Sequence, residues 1–457
     1  MRDQQTRNIF RTSKLEEADG PGLNPTASRT MGEIIAARFS RRGFLKGSMA
    51  VTAISATVSP MALLSATDAQ AAPASAFNFP EVTAGVDADH HVAQGYDADV
   101  LLRWGDKVFA DAPDFDPLNQ SEAAQERQFG YNNDFVGFIP LDGADDRGLL
   151  VVNHEYTNEH LMFPGIVTIK DGEIEVSEAD EARVNIEMAA HGGTIIEIRK
   201  VDGKWQPVLD GALNRRITAK TPMELTGPAA GHARLQTVAD PTGRQVLGTI
   251  NNCAGGVTPW GTYIMAEENI HGYFLGELPA GHPEAENYKR LGVPAGDYDW
   301  GKFHKRFDIA QEPNEPNRFG WVVEIDPFDP AWTPKKRTGM GRFRHENAAV
   351  TLAADGRVVA YMGDDMQDSC IYKFISRGKY DPANRAANRD LLADGDLYVA
   401  NFGNGSWVLL DYDKNKKLQD AKNGDKPLFT SQAEVLADAR AAALAVGGTP
   451  VDRPEDI

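Results

Sequence analysis

From residue 72 onward, short apolar runs alternate with polar turns. Residues 148–153, 193–198, 261–266, 320–325, 358–362 and 406–410 are rich in β-branched and aromatic side chains, and most are bounded by Gly, Asp or Asn. That pattern predicts short strands closed by turns. No helical stretches long enough for crossovers alternate with them, which disfavours a doubly wound parallel sheet. Many short strands in one large domain suit a β-propeller, which gathers its loops around a central channel, although no fixed-period repeat accompanies them. One helix stands out. Ser431 and Glu434 form a capping box, an Ala-rich run continues to Val446, Gly447 can end it and Pro450 prevents its resumption.

Composition agrees with a large folded domain. Of 457 residues, 42% are hydrophobic, enough to bury a sizeable core, and the 43 Gly and 26 Pro fit a turn-rich chain. The net charge of −19 argues against nucleic acid or an anionic membrane surface as a partner, since phosphates are bound through clustered Lys and Arg.

Only the N-terminus is basic. Ser40-Arg41-Arg42-Gly43-Phe44-Leu45-Lys46 has the form of a twin-arginine export signal, followed by a weakly apolar stretch diluted by Ser, Thr and Pro60, then an A-x-A cleavage site at Ala69-Gln70-Ala71. The expected organisation is a signal region over 1–71, removed on export, and one domain over 72–457. The expected location is periplasmic or secreted, with the twin-arginine machinery as a transient partner, no stable membrane anchor, and a monomeric product. That route carries proteins already folded, often around a cofactor. In an oxidising compartment Cys253 and Cys370 invite a disulfide, though sequence does not pair them, and the alternating run around Cys370 reads as the setting of a buried thiol.

The chemistry gathers where apolar runs end. Asn153-His154-Glu155-Tyr156 follows one run; Asn251-Asn252-Cys253-Ala254-Gly255-Gly256 precedes another, which ends at Glu267-Glu268-Asn269. Arg344-His345-Glu346-Asn347 precedes a third, closed by Gly363-Asp364-Asp365. Taken singly, the acidic pairs suit solvated strand ends, the histidines suit packing positions, and Cys253 suits a small buried hydrophobe. Together, hard oxygen ligands and one thiol in an acidic exported chain point to metal: carboxylates suit Ca²⁺ and sulfur suits a transition metal. No Walker loop or H-E-x-x-H motif is present. Asp411, Asp413 and Asn415 open like an EF-hand loop, but Lys416 and Lys422 replace its glycine and bidentate Glu, leaving a charged surface turn.

Leu101-Leu-Arg-Trp-Gly-Asp106, Phe129-Gly-Tyr-Asn-Asn-Asp134, Asn153-His-Glu-Tyr156, Gly227-Pro-Ala-Ala-Gly-His232, Asn252-Cys-Ala-Gly-Gly-Val-Thr-Pro-Trp-Gly261, Arg344-His-Glu-Asn347 and Asp452-Arg-Pro-Glu-Asp456 resemble the PhoX-type alkaline phosphatases across nearly the whole chain after the signal. The resemblance implies an all-β, six-bladed propeller with a few helical insertions and a channel cluster of iron (Fe³⁺) and calcium (Ca²⁺) that hydrolyses phosphomonoesters. It implies that Cys253 bridges the irons, that Glu346 and Glu455 are iron-cluster carboxylates, and that Arg453 holds phosphate. By extension Glu155, Glu268, Asp364 and Asp365 ligate calcium. Cations would reverse the field of an acidic protein that otherwise repels a phosphate ester, so no serine nucleophile is required.

Two other classes stay open at this stage. A calcium-centred propeller hydrolase, a lactonase or phosphotriesterase, would use similar carboxylates without needing Cys253. A non-enzymatic propeller scaffold would need neither metal nor Arg453. The sequence stops just after Arg453-Pro-Glu-Asp456, and a phosphate-contacting lysine of the family lies beyond that motif. The expectation is therefore an incomplete propeller, lacking its C-terminal part and a poor phosphatase as it stands.

Overall fold

The computed structural model describes residues 82, 83, 85, 89–170 and 173–457. The twin-arginine motif at 40–46 and the cleavage site at 69–71 lie outside the described residues. The described residues divide between one unit over Leu102–Ile457 and a second that ends at Leu101. In the second unit the described residues form no helix or strand.

Three main sheets occupy Leu102–Ile457. The first contains β1 (Asn133–Pro140), β2 (Arg147–His154), β3 (Gly192–Val201) and β4 (Lys204–Pro207) as an antiparallel meander, with β5 (Arg215–Ile217) also paired to β3. The second contains β6 (Pro222–Thr226), β7 (Gln245–Leu247), β8 (Asn252–Val257), β9 (Tyr263–Glu267), β10 (Val322–Ile325) and β11 (Lys335–Arg337), in the order β8-β9-β10-β11-β6-β7. Its β11–β6 pair is parallel. The third is a five-stranded antiparallel meander of β12 (Ala349–Leu352), β13 (Arg357–Gly363), β14 (Ile371–Lys379), β15 (Gly395–Asn401) and β16 (Ser406–Leu409). All six predicted runs fall on these strands. The fold is mostly β with few helices, and no sheet closes on itself among the described residues.

The middle sheet is buried on both faces, as period-two alternation dictates. Tyr263 and Met265 of β9 and Val323 and Ile325 of β10 enter a core shared with Leu149, Val151 and Ile195 of the first sheet. Ile264 and Val322, each next in sequence to one of these, point the other way into a core with Val358, Met362, Tyr372 and Phe374 of the third sheet. Each such aliphatic side chain contributes roughly 1.5–3 kcal/mol relative to exposure. The three sheets therefore stack in chain order, with β8 lying beside β1 on one side and β12 on the other.

Helices are few. α1 (Glu181–Ala190), capped by Asp180, precedes β3, and α2 (Ala285–Leu291) lies in the long connection from β9 to β10. The predicted C-terminal helix is two: α3 (Gln432–Ala437), capped by Ser431, and α4 (Ala439–Val446), ended by Gly447 at φ 91°. Asp438 breaks them, with a non-helical backbone and a side chain that accepts from the N–H of Ala441 and pairs with Arg290. Competition of this kind from an Asp side chain is why Asp favours caps over helix interiors.

Candidate metal centre

Each of the three sheets delivers two polar side chains to one place by the same local device. In the first, Asn133 of β1 pairs with His154 of β2, and the residue after each, Asp134 and Glu155, reaches the centre. In the second, Asn252 pairs with Glu267 and is followed by Cys253, as Glu267 is by Glu268. In the third, a bridge joins His345 to Asp364, followed by Glu346 and Asp365. One backbone hydrogen bond recurs: the N–H of Glu155 donates to the Asn132 carbonyl (3.0 Å), that of Glu268 to Asn251 (2.9 Å) and that of Asp365 to Arg344 (3.0 Å).

The first two sheets share further detail. Asn132 and Asn251 are left-handed, at φ 51° and 47°, a conformation asparagine tolerates better than most residues. The ladder register then slips between Asn133 and Val136 and between Asn252 and Gly255. A bulge re-aims side chains at a strand end, here those of Asp134 and Cys253. The second bulge needs Gly255, because a Cβ there would lie 2.2 Å from the Ile264 carbonyl oxygen. Buried Asn153 supports it from β2, donating from Nδ2 to the carbonyls of Cys253 (2.5 Å) and Ala254 (3.1 Å) and accepting from the Tyr263 hydroxyl at Oδ1.

Glu267 anchors the neighbouring strand end from within. Its carboxylate accepts from Lys336 Nζ (2.7 Å), Thr249 Oγ1 (2.8 Å) and the N–H groups of Gly320 (3.0 Å) and Trp321 (3.1 Å), and the Lys336–Glu267 pair is wholly buried. With Glu267 turned inward and fully satisfied, Glu268 is left facing the centre.

Two groups of potential ligands share one sulfur. Side-chain atoms of Asp134, Glu155 and Cys253 lie within 4.8 Å of one another, and so do those of Cys253, Glu268 and Glu346. Cys253 Sγ stands 3.4 Å from Asp134 Oδ2 and 3.1 Å from Glu346 Oε1. Burial, with like charge added, raises every affected acid. The Glu346 carboxyl rises to about 7, chiefly through desolvation and with Asp365, Glu455 and Asp134 adding to it, against the hydrogen bond from Cys253. Burial, then Glu346, Glu155 and Asp365, drive Glu268 well above the carboxylate range, with Arg344 opposing. The Cys253 thiol is pushed far up by burial and by Glu155, Glu268, Glu346 and Asp134. Asp134 is raised too, by burial and by Asp456. A buried thiol ringed by mutually repelling carboxylates fits cations, whose charge reverses these shifts.

Of the residues named from sequence, Glu155, Cys253, Glu268 and Glu346 are in the two groups, and Asp365 and Glu455 border them closely enough to raise Glu346. Arg453 stands at the edge, with Nε and Nη2 donating to Asp365 at 3.0 and 2.8 Å and Nη2 lying 3.4 Å from Glu455. Asp364 is turned away. Fully buried, it accepts from Arg440 Nε (2.7 Å) and Nη2, and from the N–H of Arg344 (3.1 Å). His154 and His345 pack inside rather than joining the centre; burial depresses both, His345 to about 3. Both cysteines are free thiols, and burial raises Cys370 to about 12. Asp134 is a further acid of the centre, beyond those the sequence names. The signal was the likeness of Asn132-Asn133-Asp134 to Asn251-Asn252-Cys253.

Residues 77–457 match the family described as Alkaline phosphatase PhoX. A solved structure, "Pseudomonas fluorescens PhoX in complex with vanadate, a transition state analogue", is 44% identical with a TM-score of 0.72; the match covers 80% of this chain and 63% of that one. The chain thus spans less than two thirds of that relative's length. A comparison with curated proteins finds no match. Fold, thiol-centred carboxylate cluster and matched length agree, and the chain belongs to the PhoX alkaline phosphatase family.

Proposed function

We propose that the centre holds iron and calcium and hydrolyses phosphomonoesters, releasing inorganic phosphate. The observation that carries this reading is the position of Cys253 Sγ in both ligand groups. A soft donor shared between two sets of hard ones suits a transition-metal pair flanked by calcium, whereas a purely calcium-centred hydrolase leaves the thiol without a role. Cys253, Glu346 and Glu455 would face iron, and Glu155, Glu268, Asp134 and Asp365 would complete the oxygen ligands. Asp364, with both oxygens facing Arg440, supports the Arg344–Asp365 segment from behind. Bound cations supply the positive field and Lewis acidity that an anionic ester and its attacking oxygen require.

The chain's own residues do the rest. Arg453 presents a planar guanidinium at the edge, suited to two oxygens of a phosphoryl group, and Asp365 fixes its orientation. The stacked sheets bury the ligand set on one side, so charge acts there through a low-dielectric medium. The sequence signals support export by the twin-arginine route to a periplasmic or secreted location. The stacking of successive sheets around the centre supports a propeller, six-bladed in the family pattern. Among the described residues no helix is long and apolar enough to cross a membrane.

Release of phosphate from an aryl phosphate by protein loaded with iron and calcium, inhibited by vanadate, is the expected result. Loaded protein that hydrolyses an aryl lactone or a phosphotriester but no monoester contradicts it.

A further inference from the structure

Two ligand-bearing loops are tied together by a pair of tyrosines from the β9–β10 connection. Tyr273 and Tyr298 stack with ring centroids 4.5 Å apart and planes 10° from parallel. The Tyr298 hydroxyl donates to the Thr157 carbonyl (3.0 Å) and accepts from the Thr157 N–H (3.2 Å), two residues beyond Glu155. The Tyr273 hydroxyl accepts from Asn251 Nδ2 (3.4 Å), two residues before Cys253, and lies 3.5 Å from the Glu155 carbonyl oxygen. Asn251 in turn takes the N–H of Glu268 on its carbonyl, and its Oδ1 accepts from the N–H of Asn269.

A third residue sets the direction of these bonds. His191 Nδ1 is 2.6 Å from the Glu187 carbonyl oxygen, which only accepts, so Nδ1 carries the proton; Nε2 is then the acceptor for the Tyr273 hydroxyl at 2.9 Å. With its hydrogen committed to His191, the hydroxyl keeps a lone pair for Asn251. Burial keeps His191 neutral, down to about 4, so the arrangement persists across the physiological range. Trp300 packs edge-on against both His191 and Tyr273 and donates to Glu187 Oε2 (3.1 Å).

We propose that the stacked Tyr273–Tyr298 pair is a positioning clamp that fixes the distance between Glu155 and the Cys253–Glu268 pair, assembling the cation site before any cation binds. Both hydroxyls act on the ligand-bearing loops through backbone and through Asn251. The inference rests on the metal reading of the centre. Carboxylates that repel one another drift apart unless the loops carrying them are held, and partners behind metal ligands typically govern about 10–100-fold in affinity.

The test is the iron and calcium retained per folded chain in Tyr273→Phe, in Tyr298→Phe and in the double variant, each of which keeps the ring stack. Tyr288→Phe serves as the control. Tyr288 is as buried as Tyr273 in the same connection, and its hydroxyl donates to the Pro313 carbonyl (2.5 Å). At least ~10-fold weaker retention in the clamp variants, with retention unchanged in the control, is expected. Thermal unfolding of the cation-free proteins should be lowered alike in control and single clamp variants. Retention equal to wild type in all clamp variants, or an equal loss in the control, overturns the clamp. Wild-type protein that itself binds neither iron nor calcium overturns the metal reading beneath it. Each single variant stands as an independent test if the double variant fails to fold.

Discussion

The backbone of Glu455 passes directly over Gly363. A Cβ on Gly363 would lie 2.3 Å from the Glu455 carbonyl oxygen and 2.1 Å from that of Pro454. Gly363 ends β13 one residue before the Asp364–Asp365 pair, so the missing side chain is what lets the Arg453–Glu455 segment lie against the centre. Gly363→Ala should displace that segment, since the obstacle is backbone rather than a flexible side chain. The expected result is a folded protein that loses Arg453 and Glu455 from the centre, with aryl-phosphate KM raised and iron retention reduced. Unchanged metal content and kinetics would show that the segment has no role there.

The two cysteines should separate cleanly. Cys253→Ser should abolish iron retention, because a hydroxyl replaces the sulfur that both groups of carboxylates share. Cys370 packs in the apolar core beside Met362 and Tyr372. Cys370→Ser should leave metal content intact and cost roughly 1–3 kcal/mol for a newly buried hydroxyl, read as a lower Tm. Equal iron in wild type and Cys253→Ser would remove the thiol from the centre.

Glu346 gives the cation-free protein a characteristic pH dependence. Its carboxyl, ordinarily near 4.5, is raised to about 7 by burial. Between those values the folded chain holds a proton that the unfolded chain has released, so the group's contribution favours folding at low pH and is progressively lost as pH rises. A loss on the order of 3 kcal/mol is expected between pH 4.5 and 7. Cation binding must expel the same proton, so affinity should rise through that window while the loaded protein loses the slope. Thermal unfolding measured against pH, with and without cations, checks both.

Much of this was legible because strands end where their polar residues begin. The apolar runs at 148–153 and 261–266 announced β2 and β9, and the residues just beyond them, Glu155 and Glu268, do meet. What sequence could not show was side-chain direction between adjacent acids. Asp364 and Asp365 are neighbours, yet one faces the centre and the other faces Arg440, 76 residues away. The repeated device was hidden by spacing, since Asp134 precedes Cys253 by 119 residues and Cys253 precedes Glu346 by 93. Intervals that unequal leave no period. Asp134 itself reads as part of an Asn-rich turn until the bulge at β1 shows where it points. The single long helix is interrupted at Asp438, whose side chain caps the second helix and pairs with Arg290 across 148 residues, a partner the sequence does not show.

The central claim is that one thiol-centred cluster of iron and calcium carries phosphatase activity. Metal content and aryl-phosphate turnover should be measured on a single preparation, before and after prolonged chelation and again after reloading. Iron and calcium should fall together with turnover and Tm, because cations that bind only the folded site stabilise it by mass action, and reloading should restore all of them. Turnover and Tm that survive complete removal of both metals would contradict the account.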